Sequence, residues 1–289
     1  MISRLTYYLL FCLFFSTSAW AYIPSFDYIV KRTSELHGYG IFLVDQDVTI
    51  IGANQKPLTV HEQWLIDGEK KLRMRVTGRN ELSDQLAMTI LYNDNRKYFV
   101  NSSGKVNTSK VSEDFFEPLF YFRNSAFLKS LLYNLNIIPR VALADPPHLK
   151  KVEDIKLKNE RFVRLARSGG VVNYGIGEII NGDSGAKNPG LWIEQDFFHV
   201  RKFRSPTNIE ITADKYQNHR NNFWLPQIRE FRWNDNKAII TVTQVKSFGS
   251  STHLQQRLKT SSLNASKEPE LKALLPDNEQ LLEFYRRFR

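Results

Sequence analysis

The chain has 289 residues, 42% of them hydrophobic and 13% aromatic, with a formal charge of +10 at neutral pH and a single cysteine. That length supports a substantial core, and one cysteine excludes a disulfide framework. The positive balance favours anionic surfaces such as phospholipid headgroups, lipopolysaccharide or acidic polymers, with plain solubility as the alternative reading.

Residues 1–21 carry Arg4, an apolar run over 5–15 and the ending Ala19-Trp-Ala21, the three parts of a secretory signal peptide cleaved after Ala21. The run is shorter than the ~20 residues a membrane span needs. Leu-Leu-Phe before Cys12 is not a lipobox, so this cysteine leaves with the signal and the exported chain has no thiol chemistry. The expected compartment is the periplasm, which disfavours nucleic acid as a partner.

Residues 25–36 place Phe26, Ile29, Val30 and Leu36 near helical spacing, with Ser25 as cap and Gly38 as stop. Strands follow at 40–51, 60–66 and 71–77, the last two joined through Asp67-Gly68. In the third, Leu72, Met74 and Val76 take one face while Lys71, Arg73 and Arg75 take the other. Leu86, Met88, Ile90 and Tyr92 repeat the alternation, turn at Asn93-Asp-Asn95 and return over 97–100. Residues 112–138 interrupt the series with Phe115, Phe116, Leu119, Phe120, Tyr121, Phe122, Phe127, Leu128, Leu131 and Leu132, and Pro118 and Asn124 divide them into short helices. After a loop at 142–151, strands are expected at 152–157, 161–167 and 171–180. A loop at 182–190 leads to one long arm over 191–203, then to strands at 208–216, 223–233 and 238–246. Residues 247–266 read as a polar connection. A final helix at 277–288 has Asp277 as cap, Gln280 three residues on, and Leu281, Tyr285 and Phe288 on one face. The lack of a β-α-β rhythm makes the architecture antiparallel, mainly β or α+β. A chain ending in a helix, with helices between its strands, does not fit an outer-membrane barrel.

The order of these pieces resembles the LolA/LolB-like lipoprotein carriers. The match runs through the opening helix, the Leu72-Arg-Met-Arg75 block, Ile90-Leu-Tyr-Asn-Asp-Asn-Arg-Lys-Tyr-Phe-Val100, Gly190-Leu-Trp-Ile-Glu-Gln-Asp196, and Tyr216 followed by Phe223-Trp-Leu-Pro226. The resemblance implies an incomplete β-barrel wrapped around helices that lid an apolar cavity, built by residues 22–246. The tail at 247–289 is longer than that family needs. It implies a cavity or lid formed by Leu72, Met74, Val76, Met88, Ile90, Tyr92, Phe115, Phe116, Phe120, Phe122, Phe127 and Leu131, with Arg73 as a lid latch. Burying each CH₂ of an acyl chain contributes ~0.8 kcal/mol, so such a cavity can hold a lipid with no polar contact. The alternative for the same aromatic residues is ordinary core packing.

Catalytic signals are weak. Gly182-Asp-Ser-Gly185 matches a serine-protease tetrapeptide but lacks the continuation and a histidine in triad order, and its residues are those a turn needs. The six histidines are scattered singly, without a metal-binding spacing. Asp45 and Asp47 share a strand face, compatible with a glycosidase dyad and equally with a solvated sheet surface, the commoner case. Neither enzyme, metal nor cofactor is expected. The expected function is a periplasmic carrier that binds a lipid or an acylated lipoprotein. The alternative is a non-catalytic scaffold whose basic helix, through Arg286, Arg287 and Arg289, docks an inner- or outer-membrane protein.

Overall fold

The computed structural model describes residues 23–53, 56–83, 86–100, 105–143, 162–177, 188–263 and 279–289. The export segment at 1–21, the strand expected at 152–157 and the Gly182-Asp-Ser-Gly185 turn lie outside them.

Helix α1 (Phe26–Glu35) starts where Ser25 accepts a hydrogen bond from the Tyr28 amide, and the chain leaves it through Gly38 at φ +59°. A Cβ on Gly38 would also sit 2.4 Å from the Asn221 carbonyl oxygen, so this exit needs glycine twice over. Six strands follow: β1 (Ile41–Ile51), β2 (Leu58–Ile66), β3 (Lys71–Gly78), β4 (Ala87–Asn93), β5 (Arg96–Val100) and β6 (Val106–Lys110). A helical insertion contains a 3₁₀ turn (Glu117–Phe120) and helix α2 (Ser125–Asn134), which is capped by the Asn124 side chain. Seven further strands are β7 (Val163–Ser168), β8 (Val171–Gly177), β9 (Gly190–Glu194), β10 (Val200–Arg204), β11 (Glu210–His219), β12 (Phe223–Trp233) and β13 (Asn236–Phe248). Two short helices end the chain, α3 (Thr252–Arg257) and α4 (Glu279–Arg287).

All thirteen strands form one antiparallel sheet in the order β6-β5-β4-β3-β2-β1-β13-β12-β11-β10-β9-β8-β7. Every pair joins sequence neighbours except β1 with β13, the seam between the two halves. At that seam the register slips between Asp45 and Gln46, a bulge that adds local twist. The turns carry the backbone geometry that tight hairpins require: Asp94 and Asn95 between β4 and β5, and Gly169 and Gly170 between β7 and β8, all have positive φ. Among the described residues the sheet ends at β6 and β7, which do not pair, so the barrel is incomplete, as the resemblance implied.

The described residues hold thirteen strands, more than the alternation alone marked there. Residues 191–203 are a hairpin, not one arm: Phe198 adopts φ +60° between β9 and β10, and Leu191 pairs back onto Phe203. Strand β6 adds an edge where no strand was expected, and helix α3 forms inside the expected polar connection.

The two sheet faces have different fates. Phe42, Val44, Val48 and Ile50 of β1, Val60, Trp64 and Ile66 of β2, and Phe231 and Trp233 of β12 point into the concave side, where the main core lies. Helix α1, residues 111–143 and α4 cover it. On the convex side Ile41, Leu65, Leu91 and Val100 form a smaller cluster with Leu258 and Leu263 from the α3 segment.

Candidate functional site

The concave side gathers the expected cavity residues into one cluster. Leu72, Met74, Val76, Ile90, Tyr92, Phe116, Phe120 and Phe122 are buried there, and Met88, Phe115, Phe127 and Leu131 pack against it partly buried. Cover and sheet meet ring to ring. Tyr92 stacks on Phe115 at 4.5 Å, and Phe116 lies 4.6 Å from Phe203 of β10. Lys70 places its ammonium 4.4 Å from the Phe127 ring centroid at the rim.

Helix α4 occupies the middle of this face. Leu281, Phe284, Tyr285 and Phe288 are buried, with Phe284 and Phe288 packed edge-on or tilted against Phe231 and Trp233. Arg289, expected on a docking surface, is instead fully buried, since its apolar neighbours carry it inward. Arg287 is half-buried and bridges Asp114 at 2.9 Å and Glu283 at 2.8 Å. Only Arg286 of the three basic residues faces solvent.

Around Arg289 lies a polar network inside the apolar core. Its Nε donates to Glu62 Oε1 at 3.0 Å, and its guanidinium lies 3.0 Å from Glu117. Glu62 also accepts from Tyr285 (2.8 Å), Gln46 (2.7 Å) and Trp64 (3.0 Å). Arg229 of β12 donates to Gln46 Oε1 at 2.5 Å and approaches Glu117 at 3.3 Å. The Glu117 contacts are charge contacts without hydrogen-bond alignment. Burial opposes the charge on Arg289, but Glu62 and Glu117 outweigh it and hold its pKa above the ordinary value. On Arg229 burial wins and the shift is downward, against the pull of Glu117. Two carboxylates thus face two guanidiniums, and removing one partner of such a buried set typically costs ~3–5 kcal/mol.

Among the described residues, an open space lies between α4 and the β4–β6 edge. This cavity of about 370 Å³ is lined by Met88, Ile90, Lys97, Phe99, Ser109, Lys110, Ser112, Leu282, Tyr285 and Arg286. Of the expected lining residues, only Met88 and Ile90 reach it. The others pack against the cover or α4.

Neither a family model nor a curated protein matches the sequence. Among solved structures, a LolA superfamily protein from Nitrosomonas europaea superposes with a TM-score of 0.51 at 10% identity, over 83% of this chain and 100% of that one. The fold is LolA-like. A DUF1329 family protein from Desulfovibrio piger matches with the same TM-score at 10% identity, over 82% and 97% of the two chains.

On this LolA-like half-barrel, Arg73 points away from the lid. It stands on the convex side of β3 and donates to the Arg257 carbonyl at 3.0 Å and to Ser262 Oγ at 2.7 Å. It therefore holds the α3 segment to the outside of the sheet. The expected lid latch is corrected by strand parity: Arg73 alternates with Leu72 and Met74, so it cannot share their face. Among the described residues, no three potential metal ligands come together, and no helix is long and apolar enough to cross a membrane. The sequence reading passed over Gln46, Glu62, Glu117 and Arg229. Its signal was available for two of them: Glu62 shares its face with Val60 and Trp64, and Arg229 with Phe231, so each is a charge on an apolar face.

Proposed function

We propose that the protein is a lipid- or lipoprotein-binding carrier of the cell envelope that works in the periplasm by binding alone, without covalent chemistry. One observation carries this reading. A curved sheet whose two edge strands have no further partner among the described residues presents a wide apolar concave face, and residues 111–143 and α4 cover it as separate segments seated chiefly through side chains. A conventional β-domain closes its core with a second sheet or a complete barrel. Here residues 111–143 and α4 can shift without breaking a strand pair, and an apolar cavity already opens beside α4. The export signal read in residues 1–21 supports the compartment. The scaffold alternative is less well supported, because α4 turns Arg289 and its aromatic residues inward and leaves Arg286 as its exposed arginine.

The experiment is gentle purification of the exported protein followed by native mass spectrometry. A co-purifying lipid or acylated peptide is the expected result. A lipid-free protein that also takes up none from mixed phospholipid vesicles would sink the reading.

A further inference from the structure

The cavity beside α4 has one chemical character on its floor and another at its mouth. Met88 and Ile90 of β4, Phe99 of β5, and Leu282 and Tyr285 of α4 form an apolar floor. Lys97, Lys110 and Arg286 stand around it with the hydroxyls of Ser109 and Ser112, and no carboxylate belongs to the lining. We propose that this cavity binds a single-chain amphiphile with an anionic headgroup, a carboxylate or a phosphate. The inference rests on the carrier reading and narrows its ligand.

Size sets the number of chains. About 370 Å³ lies at the low end of the ~300–1,000 Å³ of small-molecule pockets, room for one chain rather than two or three. Charge sets the headgroup. Lys97 Nζ donates to the Tyr285 backbone carbonyl (3.2 Å) and to the main-chain oxygen of Arg289 (2.5 Å), the last residue of the sequence, so Lys110 and Arg286 carry the open charge of the rim. Burial, and then the Arg289 charge, lower the Lys97 pKa to about 8. Arg286 is exposed at the mouth. The acid near Lys110 is Glu113 at 3.6 Å, and both side chains are more than four-fifths exposed, so water screens that pair and leaves the rim positive. Position sets the orientation. Strand β6 is the free edge of the sheet and is exposed along its whole length, so a chain lying on the floor keeps its headgroup at the wet rim.

The test titrates the exported protein with dodecanoate, dodecyl phosphate and dodecanol, reading affinity by calorimetry. Both anions are expected to bind at least tenfold more tightly than the alcohol. Whichever anion binds better identifies the headgroup as carboxylate or phosphate. Charge reversal at the exposed rim, Lys110→Glu with Arg286→Glu, should lower anion affinity at least tenfold and leave the alcohol unchanged. Leu282→Trp should fill the floor and weaken all three, with near-UV circular dichroism confirming that each variant is folded. Equal affinity for alcohol and anions, or rim reversal without effect, overturns the proposal. If no probe binds but the purified protein carries a lipid, this inference falls and the carrier reading stands. If it carries none either, both fall.

Discussion

His37 links the end of α1 to the segment beneath it, and its chemistry follows from one acceptor. Its Nδ1 meets the Phe122 carbonyl, which can only accept, so Nδ1 carries the proton and the neutral ring leaves Nε2 bare. Burial lowers its pKa to about 4; the Arg123 charge adds to this while the carbonyl contact opposes it. His199 is lowered to about 4 as well, by burial and then by Arg201 and His37. Both are depressed below the ordinary 6.5. Below pH 6.5 the unfolded chain therefore binds protons that the native state refuses. The stability these groups contribute is whole above pH 6.5 and is lost as pH falls toward 4, at ~1.4 kcal/mol per pH unit for each fully excluded ring. Urea unfolding followed from pH 7 to 4.5 should show a falling midpoint, and His37→Gln, which can still donate to Phe122, should reduce the slope by about one such ring. An unchanged slope in that variant would show that other groups carry the acid sensitivity. The polar core was partly legible at this scale too. Period-two spacing alone puts Glu62 beside Trp64, but Glu117 and Arg289 come to it from distant parts of the chain, and no local pattern announces that meeting.

Among the elements, the α3 segment shows how a strand's second face can matter as much as its first. Arg73 fixes this segment through Arg257 and Ser262, while Leu258 and Leu263 bury themselves against Ile41, Leu65 and Leu91. A hydrogen bond from a charged donor contributes ~1.5–3 kcal/mol, so Arg73→Ala should free residues 251–263 to exchange amide hydrogens faster. Lipid carriage should be unaffected, because the segment lies on the convex side. Loss of ligand with unchanged exchange at 251–263 would restore Arg73 to the lid. The same region marks the limits of sequence reading. Strands β3, β4 and β12 were legible because apolar residues alternate between turn residues that permit positive φ. Strand β6, Val-Asn-Thr-Ser-Lys, is an edge with all five residues exposed, so it has no apolar face to detect. Helix α3 is six mostly polar residues, none of them buried, held by the Arg73 bond to the Arg257 carbonyl and by the partly buried Leu254. The hairpin of β9 and β10 was masked by Phe197 and Phe198, which continue the apolar run through the turn. For α4 the helical spacing was plain, but amphipathicity says only that one face is apolar, not what that face meets.

For the whole molecule, the central fact is that this half-barrel does not fill its own concave face. The sheet has one non-local seam and otherwise grows by hairpins, a topology that curves well but leaves a broad apolar surface. Residues 111–143, α1 and α4 are set on that surface, and α4 brings both grease and the second guanidinium. A chain ending at residue 278 would expose the surface that buries Leu281, Phe284, Tyr285 and Phe288, side chains each worth ~1.5–3 kcal/mol when buried. It would also leave Glu62 and Glu117 facing Arg229 alone. Against a usual net stability of ~5–15 kcal/mol, that loss exceeds what an ordinary domain tolerates. The truncated protein should keep its far-ultraviolet β signal, lose near-ultraviolet ellipticity and bind a hydrophobic dye, the marks of a sheet without fixed packing. Adding the peptide of residues 279–289 in trans should reverse all three in proportion to its concentration, because anything that binds only the native state stabilises it by mass action. A peptide ending in alanine in place of Arg289 should be much weaker, since it returns the apolar side chains without the charge. If the truncated chain melts as sharply and at the same temperature as the parent, α4 is an attachment to the half-barrel and not its core.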